Sequence, residues 1–425
     1  MLERRVISTQ DEFYPHIEWR PMRSILLFFT FAVTMIHAGT LQKVGELKII
    51  RPAFLSIHDD QLIVSQFGVF HKGQVSVLKG LKTSLENLQA AEFKTLIKDK
   101  KITWPNEVHF FEDNAKWAGV VSSGFLVPGK SNGGVFLLNN DVLSRFRSWF
   151  GVDLQVNVPF FRTALTQISP KDKGWWYHRT RQYKDGYITA RAKISWGKKE
   201  GELLYLYRKN TNRYKWYAEK IVSGPDVHFE LHDFDNDGEQ EIICTEFFNK
   251  RLTMLKMVDG EWEYSIIDDT VGEAFDVQIA DLDQNGSVEL LVTNHEKDEK
   301  AAVFVYTVIT DSGIEFTRHT ILEGIETKQG GIGSASPGKA EAFVADSNNP
   351  TKPWILVNGD GSQKAHLLRP KSEEANNWEY TEEILIDTGC TVGQSAIADI
   401  DGDGGIEIFV PAYDKDLIHV FSYTN

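Results

Sequence analysis

Three short stretches of this 425-residue chain share one design. They are Asp233-Phe-Asp-Asn-Asp-Gly-Glu-Gln-Glu241, Asp281-Leu-Asp-Gln-Asn-Gly-Ser-Val-Glu289 and Asp399-Ile-Asp-Gly-Asp-Gly-Gly-Ile-Glu407. Each is an oxygen-rich loop with a glycine turn and a closing glutamate, and each runs straight into an apolar strand. Alternating carboxylates and amides of this kind suit a hard cation such as Ca²⁺. Recurrence constrains the chain more than the metal does, because self-similarity at a period marks a repeat fold. The loops are not EF-hands, which need a helix on each side and a bidentate Glu at position twelve. That position holds Cys244, Val292 or Val410. The flanking β-branched and aromatic residues read as strand, so each loop is expected to staple a hairpin.

With those strands as template, seven segments align: Leu62–Gln66, Gly119–Ser123, Tyr187–Arg191, Ile242–Glu246, Leu290–Asn294, Ile355–Gly359 and Ile408–Ala412. Each is followed by a polar stretch and another strand: Gln74–Leu78, Gly134–Leu138, Glu202–Tyr207, Arg251–Leu255, Ala302–Tyr306, Lys364–Leu368 and Leu417–Phe421. The spacing of roughly 50 to 70 residues exceeds a blade of about 40 to 50, and loop insertions account for the excess. Repeated strand pairs without helical periodicity predict an all-β chain, a seven-bladed β-propeller with calcium-binding hairpin loops. Blades are expected near 50–80, 107–140, 160–210, 226–265, 272–320, 340–388 and 391–425. A β-sandwich carrying isolated Ca²⁺ hairpins is the alternative.

The pattern D-x-D-x-[DN]-G-x-x-E followed by an apolar strand resembles the FG-GAP/VCBS repeats, as in the integrin α-chain propeller. The resemblance covers roughly residues 45–425, with the full acidic motif in three blades; the sixth carries Asp346-Ser-Asn-Asn-Pro350 instead. It implies structural Ca²⁺ at about three sites, with ligands from Asp233, Asp235, Asp237, Glu241, Asp281, Asp283, Asn285, Glu289, Asp399, Asp401, Asp403 and Glu407. The second loop, with Gln284 and Asn285, is slightly weaker. The resemblance also implies adhesion or recognition, and VCBS-like propellers occur in polysaccharide lyases and sugar dehydratases as well.

The remaining sequence speaks to location and partners. Residues 24–36 form a mostly apolar run that ends at Ile36-His-Ala38, too short for a span of about 20 residues. It fits a secretory signal cleaved near Ala38, leaving a propeller over 39–425; a membrane anchor through 24–36 is the alternative. Residues 1–21 read as an upstream extension, with Met22 the better start. The net charge of −14 argues against nucleic acid. Cys244 and Cys390 read as two buried thiols. The sequon Asn285-Gly-Ser287 lies inside a metal loop and is expected to stay unoccupied.

A carboxylate saturated by a structural cation is a poor general base, so chemistry is expected on the opposite face. Residues after each second strand gather there: Gln66, Ser123, Arg191, Glu246, Asn294, His295, Asp360, Tyr413 and Asp414. A convergent polar mouth is where a ligand is expected, although ordinary solvated turns would also carry such residues. A second cluster, Trp175-Trp-Tyr-His-Arg-Thr-Arg181, reads either as a sugar-stacking or carboxylate-clamping surface or as blade packing. Arg213–Tyr217 reads as an outer strand. Phosphate-loop, zinc and nucleophile-elbow signatures are absent. Two functions follow: a secreted module that binds carbohydrate or a cell-surface or matrix protein, or an enzyme acting on sugars. In the second, His295 and Tyr413 act as acid and base, Arg191 holds a carboxylate, and Glu246 with Asp360 binds a divalent ion.

Overall fold

The computed structural model describes residues 39–424 apart from 69–72, 100, 114–115, 125–132, 140–163, 210, 312 and 329–334. Residues 1–38, with the expected leader, signal and anchor, lie outside the described residues.

Seven four-stranded antiparallel sheets make up the chain from Gly39 onward. Blade one runs from a first strand at Pro52–Ile57 to a fourth at Lys94–Asp99. Blade two runs from Pro105–Asp113 to Ala164–Gln167 and blade three from Trp176–Tyr183 to Asn212–Ser223. Blade four spans Phe229–His232 to Glu261–Asp268, blade five Ala274–Ala280 to Glu315–Glu323, and blade six Ala340–Phe343 to Tyr380–Asp387. Blade seven takes three strands, Ala396–Ala398, Glu407–Ala412 and Leu417–Thr424, from one end of the chain. Its fourth is Thr40–Lys48, paired from Thr40↔Thr424 to Lys48↔Leu417. The expected seventh blade over 391–425 is thus completed by residues 40–48. The first three blades also extend beyond their expected limits, because their outer strands lack the apolar run that marks a buried one.

The core explains the count. Buried apolar residues fall into seven clusters, one between each neighbouring pair of blades. The last joins Leu47, Phe409, Ile418 and Val420 of blade seven to Leu55, Leu62 and Val64 of blade one, so the ring is closed. A second strand sandwiched between two neighbours is buried on both faces. Glu241–Glu246, Glu289–Asn294 and Glu407–Ala412 are buried at every position, and consecutive apolar residues at their centres replace alternation. Both cysteines are buried thiols, not bonded to each other. Among the described residues the one α-helix is Leu81–Glu86, and no helix is long and apolar enough to cross a membrane.

Candidate functional site

The acidic loops all join a first strand to a second, on one face of the ring. They share one wiring. The leading Asp233, Asp281 and Asp399 accept backbone N–H groups from Gly238, Gly286 and Gly404 at 3.0 Å. Asp237, Asn285 and Asp403 accept the N–H two residues on. Glu241, Glu289 and Glu407 reach back to the N–H of Phe234, Leu282 and Ile400. The glycines at φ 90°, 90° and 98° supply a turn that a side chain would strain. The result is three oxygen clusters, Asp233/Asp235/Glu241, Asp281/Asp283/Glu289 and Asp399/Asp401/Glu407, each with donor atoms within 4.8 Å of one another. In the first, the Lys256 ammonium reaches Asp235, Asp237 at 3.2 Å and Glu241 at 3.3 Å. In the second, burial and the neighbouring Asp283 and Asp281 push the Glu289 carboxyl up to about 7.

On the opposite face a cavity of about 560 Å³ occupies the mouth of the central channel, with lining residues from all seven blades. Its walls are aromatic. Phe67 stacks on Trp104 at 5.2 Å and meets Phe54 and Tyr413, while Phe247, Phe248 and Phe275 close the other side.

Four polar side chains on its floor share one arrangement, each reaching across to the next blade. Asn106 Nδ2 donates to Tyr177 O at 2.7 Å, and His178 Nδ1 donates to Asp226 O at 2.7 Å. His228 Nδ1 lies 2.8 Å from Asp276 Oδ1, and His295 Nδ1 meets Pro337 O at 3.1 Å. A backbone carbonyl can only accept, so it places a proton on Nδ1 of His178 and of His295. Burial holds His178 down to about 4, and burial together with the charge of Arg179 holds His228 down to about 3. Both are neutral at physiological pH. Asn106 Oδ1 and Trp176 Nε1 are buried in the lining without a hydrogen-bond partner, one an acceptor and the other a donor.

Asp226 organises one wall. It is fully buried, accepts the N–H of Phe247 at 2.7 Å and of Phe248 at 2.8 Å, and offers its own carbonyl to His178. Burial pushes its carboxyl up to about 8 against the pull of those N–H groups. Below the floor, Arg179 contacts Glu230 at 2.7 Å and Asp276 at 3.1 Å, and Arg181 contacts Glu107 and Glu230 at 2.9 Å. Burial opposes charge on Asp276, yet Lys339 and Arg179 hold it well below the usual carboxylate range. Lys339 Nζ donates to Gln394 at 2.8 Å; burial and the charge of Arg179 lower its pKa.

The expected mouth residues divide. His295, Asp360 and Tyr413 line the cavity. His295 Nε2 stands 3.8 Å from Asp360 Oδ2, and burial pushes Asp360 up to about 6 although His295 pulls it down. The others are engaged in holding the blades. Gln66 bonds Ile50 O and Ser76, and Ser123 bonds Gly134 O. Arg191 stacks on Trp175 at 4.0 Å and pairs with Glu202 and Asp172. Glu246 is fully buried and receives Asn249, Arg251 and Tyr264. Asn294 bridges Val271 O, Lys300 O and the Ala302 N–H, and Asp414 pairs with Arg51. The roles foreseen for Arg191 and Glu246 in an enzyme are therefore corrected: both are already saturated, away from the cavity. The Trp175–Arg181 cluster is an inner strand, giving Trp176 and His178 to the cavity and Arg179 and Arg181 to the ion network. Arg213–Tyr217 does lie in an outer strand.

Asn106, Asp226, His228, Lys339 and the phenylalanines were not foreseen. They sit at or just before the first strands, or one to two residues beyond the second. The connection from a fourth strand to the next first strand shares a face with the second-to-third turn, and that topology is the signal that would have found them.

No family model matches this chain, and no curated protein matches it. Among solved structures, a protein from Bacteroides fragilis described as a 6-phosphogluconolactonase is similar, at 13% identity and TM-score 0.48, over 80% of this chain and 85% of that one. A Thermus thermophilus protein described as a glucose dehydrogenase-type oxidoreductase is similar at 10% identity and TM-score 0.38, over 91% of this chain and 100% of that one. Neither likeness bears on the chemistry of the cavity; the seven blades rest on the strand pairing itself.

Proposed function

We propose that this protein is a secreted, calcium-braced β-propeller, related to the FG-GAP/VCBS repeats, that binds a carbohydrate at the mouth of its central channel. One observation carries the reading: neutral acceptors on a fixed scaffold converge beneath aromatic walls. Aromatic faces pack against the C–H faces of a sugar ring, while acceptors such as His228 Nε2 and Asn106 Oδ1 take its hydroxyl protons. The charges of Arg179 and Lys339 near His228 disfavour a further cation at its ring and leave a neutral O–H as the better partner. A concave cavity of about 560 Å³ falls within the range of small-molecule sites, not that of the broad patch a protein partner buries.

The acidic loops fit Ca²⁺ by donor type and spacing: in each, three carboxylates bring ligand oxygens within 4.8 Å of one another. When bound, the ion would offset the mutual repulsion of three carboxylates and fix the hairpin.

The test is calorimetric titration of the full chain with neutral and uronic mono- to hexasaccharides in Ca²⁺. Binding is expected, with a loss of about three- to tenfold in Trp176→Phe, which keeps an aromatic ring but removes the Nε1–H donor together with part of the indole face. Failure of every saccharide to bind below millimolar concentration overturns the reading.

His295 beside Asp360 favours a second reading, an enzyme of the lyase or dehydratase class in which His295 Nε2 takes the proton. Product formation from the same saccharides, abolished in His295→Ala with binding retained, would establish it.

A further inference from the structure

The hairpin that carries Arg191 does not stop where its counterparts do. The second strand of blade three, Gly186–Ser195, has ten residues, against six in Glu241–Glu246 and six in Glu407–Ala412. It pairs with Lys198–Lys209 out to Ser195↔Lys198, so the two-residue loop is Trp196-Gly197. Ala192 and Ile194 line the cavity. Arg191 and Lys193, on the alternate face, stack against Trp175 at 4.0 and 5.4 Å. Trp196 follows at the tip of the same hairpin, two residues on from Ile194 and so within about 7 Å of it along the chain.

Two features of Trp196 are out of place for a packing residue. It is fully exposed, while Ile194 beside it is 42% exposed. It also sits at φ 50°, followed by Gly197 at φ 80°. Two successive positive φ values belong to a turn that favours Asn-Gly or Asp-Gly, and a bulky aromatic there is strained. The same molecule shows the ordinary solution. The blade-four hairpin joining Val258↔Glu261 turns at Asp259 and Gly260, with φ 51° and 87°. An indole held in strain, without contacts to the fold, points to a partner outside it.

We propose that Trp196 is an outlying sugar subsite, so that the ligand is an extended saccharide running from the cavity over Ile194 onto the indole face. The proposal rests on the carbohydrate reading above and deepens it. Continuity decides the occupant: Ile194 belongs both to the cavity lining and to the exposed strip, and Lys199, another lining residue, lies over Phe248 at 5.2 Å on the way. A ligand confined to the cavity would leave Trp196 unused, whereas a chain of several sugars reaches it.

The test compares the wild type with Trp196→Asn and Trp196→Phe. The probes are two ladders of one to six units, oligogalacturonates and cello-oligosaccharides, titrated by calorimetry in Ca²⁺. In the wild type, affinity is expected to rise with length. Trp196→Asn is expected to lose about tenfold for the longest members and nothing for the monosaccharides, with a melting temperature equal to or above wild type because Asn suits the turn. Trp196→Phe should recover most of the length dependence. Equal loss at every length, or none, overturns the subsite while leaving the cavity reading intact. Absence of saccharide binding at any length overturns both. Loss of binding to anionic vesicles in Trp196→Asn, without effect on the ladders, would reassign the hairpin to a membrane surface.

Discussion

Each histidine on the cavity floor turns its Nδ1 toward the neighbouring blade. His178 and His228 are poor pH sensors, since they remain neutral down to about 4 and about 3. Asp360 differs, because burial lifts it to about 6. Saccharide affinity is therefore expected to rise as pH climbs through about 6 and Asp360 becomes an ionised acceptor. In Asp360→Asn the profile should be flat between about pH 5 and 7, and a slope persisting there would assign the titration to another group. Stability runs the other way. A carboxyl whose folded pKa lies above its unfolded value of 3.8 contributes stability below that value and loses it as pH rises through about 6. His295, Asp360 and Tyr413 were legible because they follow second strands that announce themselves. His228 was not, because a single imidazole before a four-residue inner strand has no pattern around it. Arg191 misled for the converse reason: sequence shows the guanidinium but not Trp175, Tyr177, Asp172 and Glu202 already surrounding it.

At the level of the hairpin, legibility followed burial. Second strands are mostly buried because both faces meet a neighbouring blade, and their apolar centres made all seven readable. Outer strands such as Tyr380–Asp387 are mostly exposed and carry a weak signal. The acidic hairpins were readable from spacing, whereas Lys256, which reaches the first loop from the adjacent strand, was not. Its ammonium competes with a cation for Asp235, Asp237 and Glu241. Lys256→Met is accordingly expected to tighten Ca²⁺ binding at that loop by about tenfold or more. Glu289→Gln should remove one site from the stoichiometry. Calcium titration followed by calorimetry checks both; unchanged affinity in the first variant, or unchanged stoichiometry in the second, would show that these carboxylates do not hold the ion.

The ring is held by seven similar interfaces, and one of them depends on a strand from the far end of the chain. Without residues 39–48, blade seven keeps three strands and exposes the edge of Leu417–Thr424. Removing them is expected to lower the melting temperature by more than about 10 °C and to produce soluble aggregates, as read by circular dichroism and size-exclusion chromatography. A monomer melting like wild type would show that the clasp is dispensable.

That clasp also sets an order of events during synthesis. Thr40 bonds to Thr424 across 384 residues of chain, so the strand made first waits unpaired until the last has been made. Its sequence suits the wait: Lys43, Glu46 and Lys48 break the apolar character of Thr40–Lys48, which discourages strangers from pairing with it. Six blades can assemble in turn as the ribosome delivers them. The seventh cannot, and a chain interrupted anywhere before Leu417–Thr424 would present two unmatched ends to quality control instead of a finished ring.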